Sequence, residues 1–202
     1  MNDARTDIEV ERKWLLHRLP EGLLDESLPV PSARVEMLQG YLPPVSPDDP
    51  AWRAAKMATE HDVPTVGRIR AVESETGNRY FHTLKAGSGL VRHEFEREIS
   101  EAAFQAAWPL TVGRRLEKTR WRLHEDDVCW EIDRFVGLDV ILAEAEIPSV
   151  EAAASIELPA WLKPVVDREV TDEDRFTNAE MAFRSGLRPG DVDPEGSSPE
   201  SR

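Results

Sequence analysis

Residues 8–15, IEVERKWL, alternate charged with apolar side chains, so that an extended strand would carry Glu9, Glu11 and Lys13 on one face and mostly Ile8, Val10 and Trp14 on the other. The same period of two, or an enrichment in β-branched and aromatic residues, recurs at 34–42, 66–73, 79–85, 91–98, 113–124, 128–136 and 139–147. The pattern predicts eight strands with few helices between them. An α+β fold follows, built on an antiparallel eight-stranded sheet that closes, or nearly closes, into a barrel with helices around it.

Three stretches break the period of two. SEAAFQAAWPL (100–110) predicts a helix with Ser100 as N-cap and Phe104, Ala107 and Trp108 on one stripe. SVEAAASIEL (149–158) predicts a second, again opened by a serine. DEDRFTNAEMAFR (172–184) predicts a third, capped by Thr171 or Asp172, with Phe176, Met181 and Phe183 available for packing, while Trp161 before it is expected to pack on the core. Five prolines between Pro43 and Pro64 mark residues 43–64 as a surface excursion joining two strands. From Gly186 onward the chain is Gly, Pro, Ser and acid, which reads as a disordered acidic tail, so residues 1–185 form the expected domain and 186–202 the tail.

Composition narrows the class. With 202 residues and 40% hydrophobic content the chain suits one well-buried core. A net charge of -14 argues against a broad positive surface for nucleic acid or an anionic membrane, so any anion site must be a local concentration of bases. The single cysteine, Cys129, excludes an internal disulfide framework, and its flanks Val128 and Trp130 do not mark a reactive thiol. The opening MNDARTDIEVERKWLL has no basic region followed by an apolar core, and no stretch is apolar enough to span a bilayer, so the expectation is a cytoplasmic protein. His17, His61, His82, His93 and His124 show no metal-ligand spacing with one another, which favours structural or solvated roles for all five.

The chemistry lies in the charged positions. Arg68 and Arg70 flank Ile69, Lys85 lies two residues beyond Thr83, Glu94 and Glu96 flank Phe95, Lys118 and Arg120 flank Thr119, Glu131 and Asp133 flank Ile132, and Glu144 and Glu146 flank Ala145. In any one strand such a doublet reads as the solvated side of a sheet. Repeated in strand after strand with one sign per strand, the doublets point instead to a barrel with charges inward, where acidic strands hold divalent cations and basic strands hold the anion. Mg²⁺ and Mn²⁺ take hard oxygen ligands, Arg offers a fork of donors to phosphate oxygens and Lys a point charge. Phosphoryl transfer needs little beyond such positioning and charge stabilisation. Neither a GxxxxGK[ST] loop nor an HExxH pair occurs.

These residues resemble a known family. Glu9-x-Glu11-x-Lys13, followed in order by QGYL (39–42), GRIR (67–70), TLK (83–85), EFE (94–96), KTR (118–120), WEID (130–133), AEAEI (143–147) and DREVTDEDRFTN (167–178), is similar to the CYTH-domain proteins, the triphosphate tunnel metalloenzymes, over residues 7–183. The resemblance implies an eight-stranded tunnel that binds triphosphate through bases and Mg²⁺ or Mn²⁺ through glutamates. It implies Glu9, Glu11, Glu144 and Glu146 as metal ligands, with Glu9, Glu11 and Lys13 catalytic. Lys13, Arg68, Arg70, Lys85, Lys118 and Arg120 would contact phosphate, and Glu94, Glu96, Glu131 and Asp133 would line the tunnel. Arg92 and Arg122 fall on the same faces or at strand ends in water, Lys163 and Arg168 reach the phosphate or form surface ion pairs, and Tyr41 donates into the site or packs as a strand aromatic. The segment between QGYL and GRIR is longer than in compact bacterial members. The implied activity is hydrolysis of inorganic triphosphate or a related short triphosphate, a small-molecule substrate, and the family inclines toward homodimers. A class IV-like adenylate cyclase making cyclic AMP from ATP is the alternative on the same scaffold, and a non-catalytic polyphosphate-binding module is a third reading.

Overall fold

The computed structural model describes residues 5–28, 32–43, 65–86, 91–125 and 127–185, and of these the side chains of 5–9, 32, 65–66, 85–86 and 91–93 are not among those described. The excursion at 44–64 and the tail from 186 onward lie outside the described residues. Nine strands form one sheet: β1 (Arg5–Leu16), β2 (Ser32–Tyr41), β3 (Thr65–Ser74), β4 (Gly77–Ala86), β5 (Val91–Ile99), β6 (Arg115–Glu125), β7 (Val128–Phe135), β8 (Ile141–Ile147) and β9 (Val166–Glu169). Among the described residues three α-helices accompany them: α1 (Glu101–Ala107), α2 (Val150–Ser155) and α3 (Asn178–Arg184). The strand order is β5-β4-β3-β2-β6-β7-β8-β1-β9, and every pairing is antiparallel. Among the described residues no helix is long and apolar enough to cross a membrane.

The eight expected strands are all present within a few residues of their predicted ends. The ninth, β9, was not foreseen because VDRE is four residues long and carries no alternation. It docks on β1, where Trp14 faces Glu169 and Leu15 faces Arg168. β1 also pairs with β5, from Arg5 opposite Glu96 to Val10 opposite Val91. Val10 pairs with both Val91 and Ile147, and Leu15 with both Leu142 and Arg168, so β5 and β9 share the edge of β1 that β8 does not occupy.

Residues opposite one another on neighbouring strands share a face, and the two faces of this sheet differ in chemistry. One is apolar: Val10, Trp14, Trp121, Leu123, Trp130, Ile132, Ala143 and Ala145 pack with Leu23, with Ala153 of α2, and with Leu162 and Val165. Trp161 joins them as expected, edge-on to Trp130 with ring centroids 6.2 Å apart. Farther along the same face Ile69 and Tyr80 pack with Phe104 of α1 and with Trp108. Phe104 is fully buried, which stabilises the docked helix by roughly 1.5–3 kcal/mol. The other face is charged for most of its length. At one end it turns apolar, where Tyr41, Leu116, Phe135 and Leu142 meet Val170, Phe176, Met181 and Ala182 of the C-terminal segment.

Two helix expectations need correction. The second helix stops at Ser155 instead of 158, since Ile156 is extended at φ -64° and ψ 131° as the chain approaches Pro159. The third does not begin at 172. Asp174–Phe176 form a 3-10 turn, and the cap is Thr177, whose hydroxyl accepts from the Glu180 amide, not Thr171 or Asp172. Thr171 accepts instead from the backbone N–H of Lys13. Met181 is buried as expected, but Phe183 is exposed, because α3 turns it away from the face that carries Met181 and Ala182.

Gly40 makes one close approach that the fold requires. A Cβ there would lie 2.6–2.8 Å from side-chain atoms of Thr111, itself fully buried in the 3-10 turn Trp108–Thr111. Gly40→Ala should therefore cost about 1–3 kcal/mol, read as a lower midpoint in chemical denaturation. An unchanged midpoint would show that the turn can give way.

Candidate functional site

The charged face is built in levels, each a row of cross-strand partners. Along β6, β7, β8 and β1 the rows run His124, Cys129, Glu146, Glu11, then Arg122, Glu131, Glu144, Lys13, then Arg120, Asp133, Leu142, Leu15, and finally Lys118 beside Phe135. Charge thus gives way to apolar side chains from one end of the face to the other. On the remaining strands Tyr41, Arg68, Thr83 and Glu96 form one row, Gln39, Arg70, Phe81 and Glu98 the next, and Lys85 pairs with Glu94.

Within this frame the acids and bases bind each other. Arg120 donates from Nε to Asp133 at 2.6 Å and from Nη2 to Asp133 and Glu144 at 2.5 and 2.9 Å, and it also contacts Glu131. Lys118 Nζ lies 2.5 Å from Asp133. Lys13 Nζ lies 2.8 Å from Glu144 and 3.3 Å from Glu11. On the opposite strands Arg68 reaches Glu94 at 3.1 Å, Arg70 reaches Glu96 at 2.8 Å, and the Thr83 hydroxyl donates to Glu96 at 2.7 Å. Glu11, Lys13, Arg68, Glu94, Lys118, Arg120, Glu131, Asp133 and Glu144 are all buried. The acidic and basic sets expected to serve separate partners are interleaved ion pairs in this structure.

The candidate acids and bases of β1 and β3 to β8 with described side chains therefore fall on this one face. Glu9 and Lys85 hold places in β1 and β4, two residues from Glu11 and Thr83, but their side chains and that of Arg92 lie outside the described residues. Arg122 joins the face by donating to Glu131 at 2.7 Å. Lys163 is exposed, and Arg168 takes the surface ion-pair alternative, with Glu173 above the Phe176 ring. Tyr41 takes the packed-aromatic alternative: its ring lies in the apolar end, and its hydroxyl accepts from Gln39 Nε2 at 2.7 Å. Gln39 and Thr83 escaped the sequence reading. Both are uncharged, so a search for charged doublets passes over them, although each lies two residues from a residue already singled out, Tyr41 and Lys85.

Burial and charge oppose each other throughout. Burial alone would raise the Asp133 and Glu144 carboxyls, but Arg120 and Lys118 hold Asp133 below its usual range, and Lys13 with Arg120 holds Glu144 well below it. Lys118 is pushed down to about 8, by burial first and Arg120 second, against the pull of Asp133. Glu146 is solvent-exposed, yet the surrounding protein and the neighbouring Glu131 carboxylate push it up to about 7.

Because Asp133 and Glu144 have depressed values in the folded state, their contribution to stability is present above the ordinary carboxylate range and is lost as pH falls below it. Arg120→Met would leave these buried carboxylates uncompensated and should cost about 3–5 kcal/mol near neutrality. The gap to the unsubstituted protein should narrow on acidification as the carboxylates protonate. Denaturation midpoints measured across that range check this, and a gap independent of pH would contradict it.

The comparisons with known proteins agree with one another. The inorganic triphosphatase of Nitrosomonas europaea is 33% identical over 178 residues, covering 87% of this chain and 97% of the relative. The inorganic triphosphatase of Acetivibrio thermocellus is 29% identical over 105 residues, 50% of this chain and 64% of the relative. A crystal structure of an inorganic triphosphatase shares 31% identity with a TM-score of 0.53, covering 87% of this chain and 94% of that one. No family model matches the chain. Similarity of this extent along nearly the whole of the Nitrosomonas relative, in sequence and in fold, places the chain in the inorganic triphosphatase family.

Proposed function

We propose that the chain is a divalent-metal-dependent hydrolase that cleaves inorganic triphosphate inside a CYTH-type tunnel. The reading takes the β1–β5 pairing as the seam that closes the first eight strands into a barrel, with the charged face inward and the C-terminal segment across its apolar end. The family relationship supports the substrate. The observation that carries the metal dependence is the grouping of Glu11, Glu131, Glu144 and Glu146 in two adjacent rows of β1, β7 and β8. A polyanion is repelled by such a group of carboxylates unless cations accompany it.

Glu11, Glu144 and Glu146, neighbours on β1 and β8, are oxygen donors of the kind a hard divalent cation takes. The family resemblance adds Glu9. A bound Mg²⁺ or Mn²⁺ would neutralise phosphate oxygens and ease ionisation of an attacking water. The protein's own side chains do the rest. Arg68, Arg70, Arg120, Lys13 and Lys118 exchange carboxylate partners for phosphate oxygens, and the guanidinium forks fix the chain in register. The carboxylates so released face the substrate, where they orient the water and take up its proton as its oxygen bonds to the terminal phosphorus. The P–O bond to the bridging oxygen breaks, and pyrophosphate and phosphate result.

Purified protein given tripolyphosphate with Mg²⁺ or Mn²⁺ should release phosphate, and chelator should stop it. ATP under the same conditions should yield no cyclic AMP. Cyclic AMP from ATP with tripolyphosphate untouched would overturn the hydrolase reading in favour of a cyclase, and tight tripolyphosphate binding without turnover would overturn it in favour of a binding module. Glu144→Gln, nearly isosteric but lacking the charge, should lower kcat about a hundredfold or more in a protein with an unaltered circular dichroism spectrum. Lys118, held to about 8, should lose its positive charge as pH rises through that value, so KM for tripolyphosphate should climb there. In Lys118→Arg, whose cation persists, the added climb should vanish; identical pH profiles would remove Lys118 from substrate binding.

A further inference from the structure

The row of side chains nearest the β6–β7 turn is used neither by the ion-pair network nor by the proposed hydrolysis, Glu11 and Glu146 apart. His124 and Cys129 stand five residues apart with no ligand spacing along the chain, but hairpin pairing sets them directly opposite each other, with His124 Nε2 3.9 Å from Cys129 Sγ. On its other side Cys129 is paired with Glu146. The thiol sulfur, a Glu146 oxygen and a Glu131 oxygen all lie within 4.8 Å of one another. His124 and Glu146 are exposed and Cys129 is half-buried, so an ion reaches this row from solvent.

The His124–Cys129 separation is that of two donors on one metal ion. Bond lengths of about 2.3 Å to sulfur and 2.0–2.1 Å to nitrogen, at a tetrahedral angle, put the two donor atoms about 3.6 Å apart, within a small side-chain adjustment of the distance found. The donor set is of a different kind from the all-oxygen group of Glu11, Glu144 and Glu146. A thiolate with an imidazole and a carboxylate selects a borderline-soft cation over Mg²⁺. Burial and the adjacent Glu131 and Glu146 push the Cys129 thiol up to about 11, which keeps it protonated while no cation is present. Coordination reverses this: the S–H proton leaves to solvent as the metal–sulfur bond forms.

We propose that His124, Cys129 and Glu146 form a second metal site, specific for Zn²⁺ or a cation of similar softness, with Glu131 beside them to complete the coordination by releasing Arg122. Because Glu146 belongs to both donor sets, occupation by Zn²⁺ withdraws a carboxylate from the hard-cation group. The site itself stands whether or not the chain hydrolyses triphosphate.

Co²⁺, which replaces Zn²⁺ and reports on its ligands, provides the test. Added to the purified full chain it should produce a thiolate-to-cobalt charge-transfer band in the near ultraviolet, displaced by Zn²⁺ and not by excess Mg²⁺. Cys129→Ser should abolish the band, and His124→Ala should weaken Co²⁺ binding on the order of tenfold or more. Both variants should keep the circular dichroism spectrum of the unsubstituted protein. Absence of the band in the unsubstituted protein, its displacement by Mg²⁺, or Co²⁺ binding by His124→Ala at undiminished affinity would overturn the proposal.

Discussion

Arg120 is the charge around which the site is organised. Its guanidinium is buried and binds Asp133, Glu131 and Glu144, which stand on two neighbouring strands. A single buried ion would be prohibitive, and a single buried pair barely repays its desolvation. A connected set, in which Lys118 shares Asp133 and Lys13 shares Glu144, compensates every member at once. The strand pairing follows the same demand. Sliding β7 against β6 by one residue would turn Asp133 and Glu131 to the apolar face and bring Ile132 and Trp130 against Arg120, so register and charge compensation enforce each other.

That coupling also explains why a face so polar is tolerated inside a small protein. The reverse of the sheet supplies the hydrophobic burial, through Trp14, Trp121 and Trp130 against Leu162 and Val165, and through Ile69 and Tyr80 against Phe104. The charged part of the other face is left to hold groups whose ionisation is shifted by their neighbours. Depressed carboxyls at Asp133 and Glu144, a lowered ammonium at Lys118 and an elevated carboxyl at Glu146 occupy three neighbouring strands of one surface. Such concentration marks functional sites.

Much of this was readable in the sequence. Alternation in β1, β6, β7 and β8 located both the strands and the charged face, because a period of two is a local property that tertiary packing reinforces. What escaped was what depends on partners distant along the chain. β9 has no pattern of its own and exists because β1 offers it an edge. Thr171 was assigned to a helix cap by its position before an apolar run, but the Lys13 amide claims its oxygen. His124 and Cys129 acquire their relation only across the hairpin. The doublets of one sign were legible as charges but not as pairs, since which carboxylate meets which guanidinium is decided by register.

The edge of β1 divided between β5 and β9 bears on how the chain reaches this structure. All the partners of β1, namely β5, β8 and β9, lie far downstream, and the last of them ends at Glu169. The strand that carries Glu11 and Lys13 thus emerges before any of these partners and completes its pairing only when β9 is made. During synthesis its backbone groups stay open while the β3–β4 hairpin forms from neighbours that are closer in sequence. Acids at the alternate positions Asp7, Glu9 and Glu11 of such a waiting strand discourage it from pairing with another copy. The glutamates at the head of β1 would then protect the nascent chain from association before they ever meet a ligand.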